Sequence, residues 1–221
     1  LAAMAPDVSD PTLVADTPHA WVRLGAAGQI IEYLKDAQVA DVVLAGHVRR
    51  PSMTELRPDL RASKILLRLG LGARGDDALL SAVAAELEGD GFRILGAQDV
   101  AADLLAPPGL LGGVPVPEAA RDDIARGVEA ARGIGALDVG QAAVVQDGIV
   151  LALEGAGGTD ELLQRCGALR REGRGGVLVK VSKPGQDRRM DLPAIGPRTV
   201  ELAAEVGLSG IAVEAGGTLL L

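Results

Sequence analysis

The sequence predicts an α/β fold in two domains, and three observations lead there. Short apolar runs of strand character alternate with longer stretches of helical periodicity. Residues 106–117 (APPGLLGGVPVP) hold four prolines and three glycines in twelve positions, a density that neither a helix nor a central strand survives. Apolar residues make up 48% of the 221, yet the only aromatics are Trp21, Tyr33 and Phe92, so any core must be Leu, Val, Ile and Ala. A chain of this length buries about 70% of its unfolded surface, enough for one large or two small cores. The expected division is a domain over 1–105, a linker over 106–117 and a second domain over 118–221.

Each element has its own signal. Ile30, Ile31 and Leu34 stand at helical spacing within 27–37. Residues 41–46 read as a short buried strand closed by Gly46, and 63–71 as a helix. Leu79, Leu80, Val83, Ala84 and Leu87 share one face of a helix over 76–89, with Asp76 and Asp77 at its positive end. Residues 92–95 form a second strand. Pro117 opens a helix carrying Ile124 and Val128 on one face. Residues 144–151 place two apolar runs around Asp147-Gly148, the dipeptide of a tight hairpin turn. Thr159 is expected to cap a helix, followed by Asp160 and Glu161. Residues 176–181 read as a strand, 197–206 as a helix started by Pro197, and 210–213 as the last clear strand. The run 218–221 reads as an unfinished one.

Composition removes several function classes. Three aromatics cannot supply the stacking platforms of single-strand recognition. A single cysteine, Cys166, rules out disulfide scaffolds and Cys-cluster zinc sites, and reads as a core thiol. Two histidines, His19 and His47, rule out multi-His metal centres. A net charge of −8 argues against nucleic acid as partner. Residues 1–20 lack the charged and apolar regions of a signal peptide, and no apolar run approaches 18 residues. The expected location is therefore cytoplasmic.

The net charge averages over two cationic blocks. Residues 46–74 carry seven cations against Glu55 and Asp59, and residues 164–189 carry eight against Glu172 and Asp187. Facing each other, the blocks would form an anion-binding cleft between domains. Alternatively, they are two solvated faces with ordinary ion pairs.

The densest constellation is 179–196, VKVSKPGQDRRMDLPAIG. A strand ends in Lys180 and Lys183, a Pro-Gly turn follows, then Arg188 and Arg189, then Asp191 before Leu192-Pro193. Leu192 is held extended by the proline, so Asp191 sits on stiff backbone. A carboxylate kept ionised among cations suits phosphoryl transfer, where cations meet phosphate oxygens and the carboxylate holds Mg²⁺ or orients water. The competing reading is a surface loop with incidental ion pairs. Asp138 and Gln141 precede the hairpin, either as further Mg²⁺ or substrate ligands or as caps at the start of a strand. Arg50, extended before Pro51, suits a phosphate-reaching side chain, and His47 beside it is either catalytic or an exposed loop residue. Gly70-Leu71-Gly72-Ala73-Arg74-Gly75 matches a dinucleotide fingerprint but follows a helical stretch rather than a first strand, so it reads as a helix–helix turn.

Taken in order, LAGHVRRP (44–51), GDDALL (75–80), DVGQAAVV (138–145), GTD (158–160), KPGQD (183–187) and MDLPAIGP (190–197) resemble a known family. It is the two-domain, metal-dependent UDP-2,3-diacylglucosamine pyrophosphatase family of bacterial lipid A synthesis. The resemblance implies an N-terminal Rossmann-like domain, a C-terminal α/β domain and a substrate cleft between them. It also implies Mg²⁺-dependent hydrolysis of a nucleotide-sugar lipid to UMP and 2,3-diacylglucosamine 1-phosphate. The family's essential aspartate falls on Asp191. Lys180, Lys183 and Arg189 are then expected on the diphosphate, with Gln186, Gln141, Thr159 and Arg50 as further substrate ligands and Asp138 as a second metal ligand. An acylated substrate implies peripheral contact with the cytoplasmic face of the inner membrane. The family's opening strand and closing elements have no counterpart here, so a fragment lacking both ends is expected. The alternative function is a non-catalytic module binding nucleotide sugars or lipid phosphates. A NAD-type oxidoreductase would rest on the glycine motif alone.

Overall fold

The computed structural model describes residues 2–4, 11–14, 16–46, 52–69 and 76–221. The chain divides into two compact units, residues 1–97 and 98–221.

In the first unit, β1 (Ala2–Met4) runs parallel to β2 (His19–Trp21), and β3 (Asp41–Val43) runs parallel to β4 (Arg93–Leu95). The helices are α1 (Ala27–Asp36), α2 (Met53–Leu56), α3 (Leu60–Leu69) and α4 (Asp76–Gly89), and a 3₁₀ turn spans Pro11–Val14. The parallel pairing of β3 with β4 requires a crossover, which α2, α3 and α4 provide. Asp59 serves two helix starts at once: Oδ1 accepts the Ala62 N–H of α3 at 2.8 Å, and Oδ2 accepts the Gly28 N–H of α1 at 2.7 Å. Much of the described charge around α3 is answered locally. Arg61 pairs with Glu86 at 2.9 Å and Asp90 at 2.8 Å, and Arg68 with Glu86 at 2.6 Å. His47, Arg50 and the 70–75 glycine motif lie outside the described residues.

The second unit opens with α5 (Ala97–Val100), shared with the boundary, and a 3₁₀ turn at Ala102–Leu104. Its centre is a four-stranded sheet in the order β6-β5-β7-β9, from β5 (Ala142–Gln146), β6 (Ile149–Leu153), β7 (Val177–Lys180) and β9 (Gly210–Val213). β5 is antiparallel to β6 and β7, and β7 is parallel to β9. Alternate residues feed two cores. Ala143, Val177 and Val179 pack under α6 (Glu118–Ala136). Ala142, Val144 and Leu178 pack with Leu162, Leu163 and Cys166 of α7 (Gly158–Leu169) and Leu202 and Ala203 of α8 (Pro197–Glu205). Burial on both faces explains why these strands read as continuous apolar runs. α6 lies so close to the sheet that a Cβ on Gly127 would stand 2.4 Å from a Val179 methyl.

The hairpin turn takes the form its dipeptide demands, with Asp147 at φ 50° and Gly148 at φ 75°. Two further short strands, β8 (Ala194–Ile195) and β10 (Leu219–Leu220), pair in parallel as a separate ribbon. The apolar run at 218–221 is therefore paired, with Leu219 N–H donating to Pro193 O at 2.8 Å. Ala106 is also part of this unit: its N–H donates to Thr218 O at 2.9 Å, and its carbonyl accepts Gly216 N–H at 2.8 Å. Thr159 departs from its expected role. The helix starts at Gly158, two residues earlier than a Thr159 cap requires; Gly157 is its cap residue, no side chain caps it, and the Thr159 hydroxyl is committed elsewhere.

Candidate functional site

One edge of the four-stranded sheet collects the ends of β6, β7 and β9 and the start of β5, because Ala142 pairs with Lys180, Ala143 with Leu153, and Lys180 with Val213. Crevices beyond the carboxyl ends of parallel strands are the usual ligand sites of α/β sheets. Most of the described candidate residues lie in or beside this edge.

Asp138 follows α6 with φ 53°, a left-handed conformation that Asp tolerates better than most residues. Its Oδ1 accepts the Lys183 ammonium at 2.6 Å. Gly140 is a close approach: a Cβ there would stand 2.6 Å from the Glu154 backbone oxygen. Gln141 donates its backbone N–H to Glu154 Oε2 at 2.8 Å, and its carbonyl accepts Val181 N–H at 3.0 Å. Its side-chain Oε1 is buried and has no hydrogen-bond partner among the described residues.

The 183–191 segment folds as successive turns. Gly185 adopts φ 78°, and the Lys183 backbone N–H donates to Gln186 Oε1 at 3.1 Å. That bond aims the other end of the amide, so Gln186 Nε2 donates to Asp191 Oδ2 at 2.8 Å. Asp191 is half-buried between Met190 and Leu192, both buried at 7% exposure, and Pro193 beyond them is fully buried. Anchors on both sides fix the carboxylate more firmly than the Leu-Pro step alone. The Arg189 guanidinium pairs with Asp187 at 2.7 Å, and this hydrogen bond is the main reason Asp187 is held below its ordinary carboxylate pKa. Arg188 donates to the Gly216 carbonyl, which ties the segment to the 214–218 turn.

Behind this string lies a second, drier one. Lys180 is only 8% exposed, and its Nζ donates to Thr159 Oγ1 at 2.8 Å and to Ala194 O at 3.0 Å. Thr159 in turn donates to Glu154 Oε1 at 2.6 Å. Burial pushes the Lys180 ammonium below its ordinary pKa, while the carboxylates of Glu154, Asp191 and Asp160 pull it back up.

The structure thus joins Asp138, Lys183, Gln186 and Asp191 in one hydrogen-bonded string, and Gln141, Lys180 and Thr159 in another through Glu154. Arg189 stands beside them on Asp187, and Arg50 lies outside the described residues. Glu154 and Glu214 escaped the sequence reading. Glu214 Oε2 accepts the Ser182 N–H at 3.1 Å, much as Glu154 accepts that of Gln141. A signal existed for both. Each is the first residue after an apolar strand and precedes Ala-Gly-Gly-Thr, directly in 214–218 and after one extra glycine in 154–159.

Among the described residues no group of three or more His, Cys, Asp and Glu side chains gathers as an all-protein metal cage. Mg²⁺ seldom needs one: it keeps several waters and binds through one or two carboxylates plus substrate phosphates. Asp191, Asp138 and the unsatisfied Gln141 oxygen fit that sparse donor set.

Residues 2–104 match the family model of the LpxI N-terminal domain, and residues 107–221 match that of the LpxI C-terminal domain. The chain belongs to the LpxI family. The UDP-2,3-diacylglucosamine pyrophosphatase LpxI of Caulobacter vibrioides (strain ATCC 19089 / CIP 103742 / CB 15) is 46% identical over 222 residues, covering 96% of this chain and 78% of that protein. Every described residue of both strings falls in the LpxI C-terminal domain, and Arg50 in the N-terminal one. No described helix is long and apolar enough to cross a membrane.

Proposed function

We propose that this LpxI-family protein hydrolyses the diphosphate of UDP-2,3-diacylglucosamine. Water adds across the P–O–P bridge, giving UMP and 2,3-diacylglucosamine 1-phosphate. Membership of the LpxI family and the activity for which the Caulobacter relative is named support the reaction class. The observation that carries the site assignment is the Asp138–Lys183–Gln186–Asp191 string at the strand ends.

In this reading Asp191 orients the attacking water, with Gln186 holding its carboxylate in place. Lys183 and Arg189 neutralise the diphosphate as charge builds on its oxygens. Asp191, Asp138 and the Gln141 side-chain oxygen would hold Mg²⁺, which supplies Lewis-acid polarisation of a phosphoryl oxygen when bound. The first unit, with β3 and β4 parallel across a helical crossover, is read as Rossmann-like, and Arg50 is read as a substrate ligand. The protein works in the cytoplasm and takes its acylated substrate by peripheral contact with the inner membrane.

The test is incubation with UDP-2,3-diacylglucosamine and mass-spectrometric quantification of UMP, with and without EDTA. UMP that appears with Mg²⁺ and vanishes with EDTA is the expected result. Binding of the UDP-sugar without any product would replace the enzyme with a non-catalytic binding module.

A further inference from the structure

We infer that Glu154, acting through Thr159 and Lys180, is a positioning residue that locks the start of β5 to the backbone downstream of Asp191. The inference rests on the reading above that Gln141 and Asp191 belong to the site that takes the diphosphate. Glu154 uses both oxygens: Oε2 accepts the Gln141 backbone N–H at 2.8 Å, and Oε1 accepts the Thr159 hydroxyl at 2.6 Å. The same hydroxyl accepts Lys180 Nζ at 2.8 Å, and Nζ reaches on to the Ala194 carbonyl at 3.0 Å. Five residues from four segments are therefore joined end to end. The path starts at Gln141 and finishes three residues beyond Asp191.

Burial separates this role from substrate contact. Glu154, Thr159 and Lys180 are 7%, 9% and 8% exposed, and two of the ammonium's three donor directions are already taken. Each member is matched to its neighbours by donor and acceptor count. A glutamine at 154 has one acceptor oxygen for two donors, and it removes the nearby negative charge facing a buried ammonium. A valine at 159 keeps the shape but leaves Lys180 and Glu154 without their shared partner. Gly140 completes the arrangement by letting the Glu154 backbone come close to the Gln141 segment.

The experiment measures steady-state kinetics on UDP-2,3-diacylglucosamine for the wild type, Glu154→Gln, Thr159→Val and Thr159→Ser, with amide hydrogen exchange on each. Misplaced supporting groups typically cost about 10–100-fold in activity. Glu154→Gln and Thr159→Val are expected to lower kcat by that amount and to change KM less than about threefold, since the bound ground state loses no contact. Thr159→Ser, which keeps the hydroxyl, restores most of the turnover. In Glu154→Gln, exchange speeds up both in 138–142 and in 191–196. Three outcomes overturn the inference: unchanged kcat in folded Glu154→Gln, a raised KM with unchanged kcat, or exchange that loosens only 138–142. If Glu154→Gln does not fold, the Thr159 pair decides by the same criteria, and equal turnover in Val and Ser variants overturns it. If the wild type itself releases no UMP, the proposed function fails, and the exchange pattern still decides the coupling.

Discussion

Gly140 carries more of the site than its size suggests. The Glu154 backbone oxygen would lie 2.6 Å from a Cβ at this position, and backbone cannot swing aside as a side chain can. Gly140→Ala is therefore expected to destabilise the protein by about 1–3 kcal/mol, the usual cost of overpacking, and to depress turnover with it. A thermal melt beside the UMP assay checks both. The placement of Asp191 on stiff backbone was legible because its neighbours announce it: cations before, Leu-Pro after. Glu154 was not, because its one signal, an Ala-Gly-Gly-Thr downstream as at Glu214, does not tell a buried carboxylate from a solvent-facing one. Only its hydrogen bonds to Gln141 and Thr159 show that it is buried and shared. Lys180 shows what sequence neighbours leave out. Its sequence neighbours suggest a phosphate cation, whereas its ammonium points back toward Thr159 and Ala194.

The β5–β6 hairpin shows how far local sequence reaches. Asp147-Gly148 specified the turn, but not that Asp123 of α6 would hold it. The Asp123 carboxylate accepts the Gly148 N–H at 2.7 Å, the Asp147 N–H at 3.2 Å and the Arg174 guanidinium at 2.5 Å. Burial alone would raise the Asp123 pKa, but these hydrogen bonds and the Arg174 charge outweigh it and hold the carboxyl below its ordinary value of 3.8. A depressed carboxyl stabilises the fold above that value, and the contribution is lost as pH falls through it toward the folded-state pKa. Wild type should lose stability on acidification below about pH 4 more steeply than Asp123→Asn. At pH 7 the variant should be weaker by about 2 kcal/mol, because one amide oxygen replaces two carboxylate oxygens serving three donors. Urea melts across pH 3–7 check this. In α7, burial pushes the Cys166 thiol up to about 11, and the residue is only 1% exposed. Thiol reagents should label it only as fast as the second unit opens, which labelling rates across a denaturant series measure. The longer helices and the strands of the main sheet were readable because their apolar spacing is sustained. β8 was not, because two residues carry no period, and although 218–221 read as a strand, nothing local tells that 219–220 pairs with 194–195.

Across the second unit, the charge pattern changes meaning once the topology is known. The cationic stretch 164–189 runs along α7, a loop, β7 and the segment beyond it, so β7 splits it. Arg174 lies before the strand and pairs with Asp123, whereas Lys183 and Arg189 lie past its far end. A four-residue strand separates the two groups by roughly 13 Å at its usual rise. Arg174 therefore braces the hairpin, whereas Lys183 and Arg189 stand beside the candidate site. In the first unit, Arg61 and Arg68 of α3 are likewise matched by Glu86 and Asp90. Charge counting found the cations, and only the strand order could sort those beside the hairpin from those beside the candidate site. The central claim is that Asp191 performs the chemistry on a diphosphate bound at the strand ends. The most direct test is UMP release from UDP-2,3-diacylglucosamine by Asp191→Ala, with substrate affinity measured in parallel. A loss on the order of 10²–10⁴ in turnover with binding retained is the predicted result. Turnover within about tenfold of wild type, well short of that range, would contradict it.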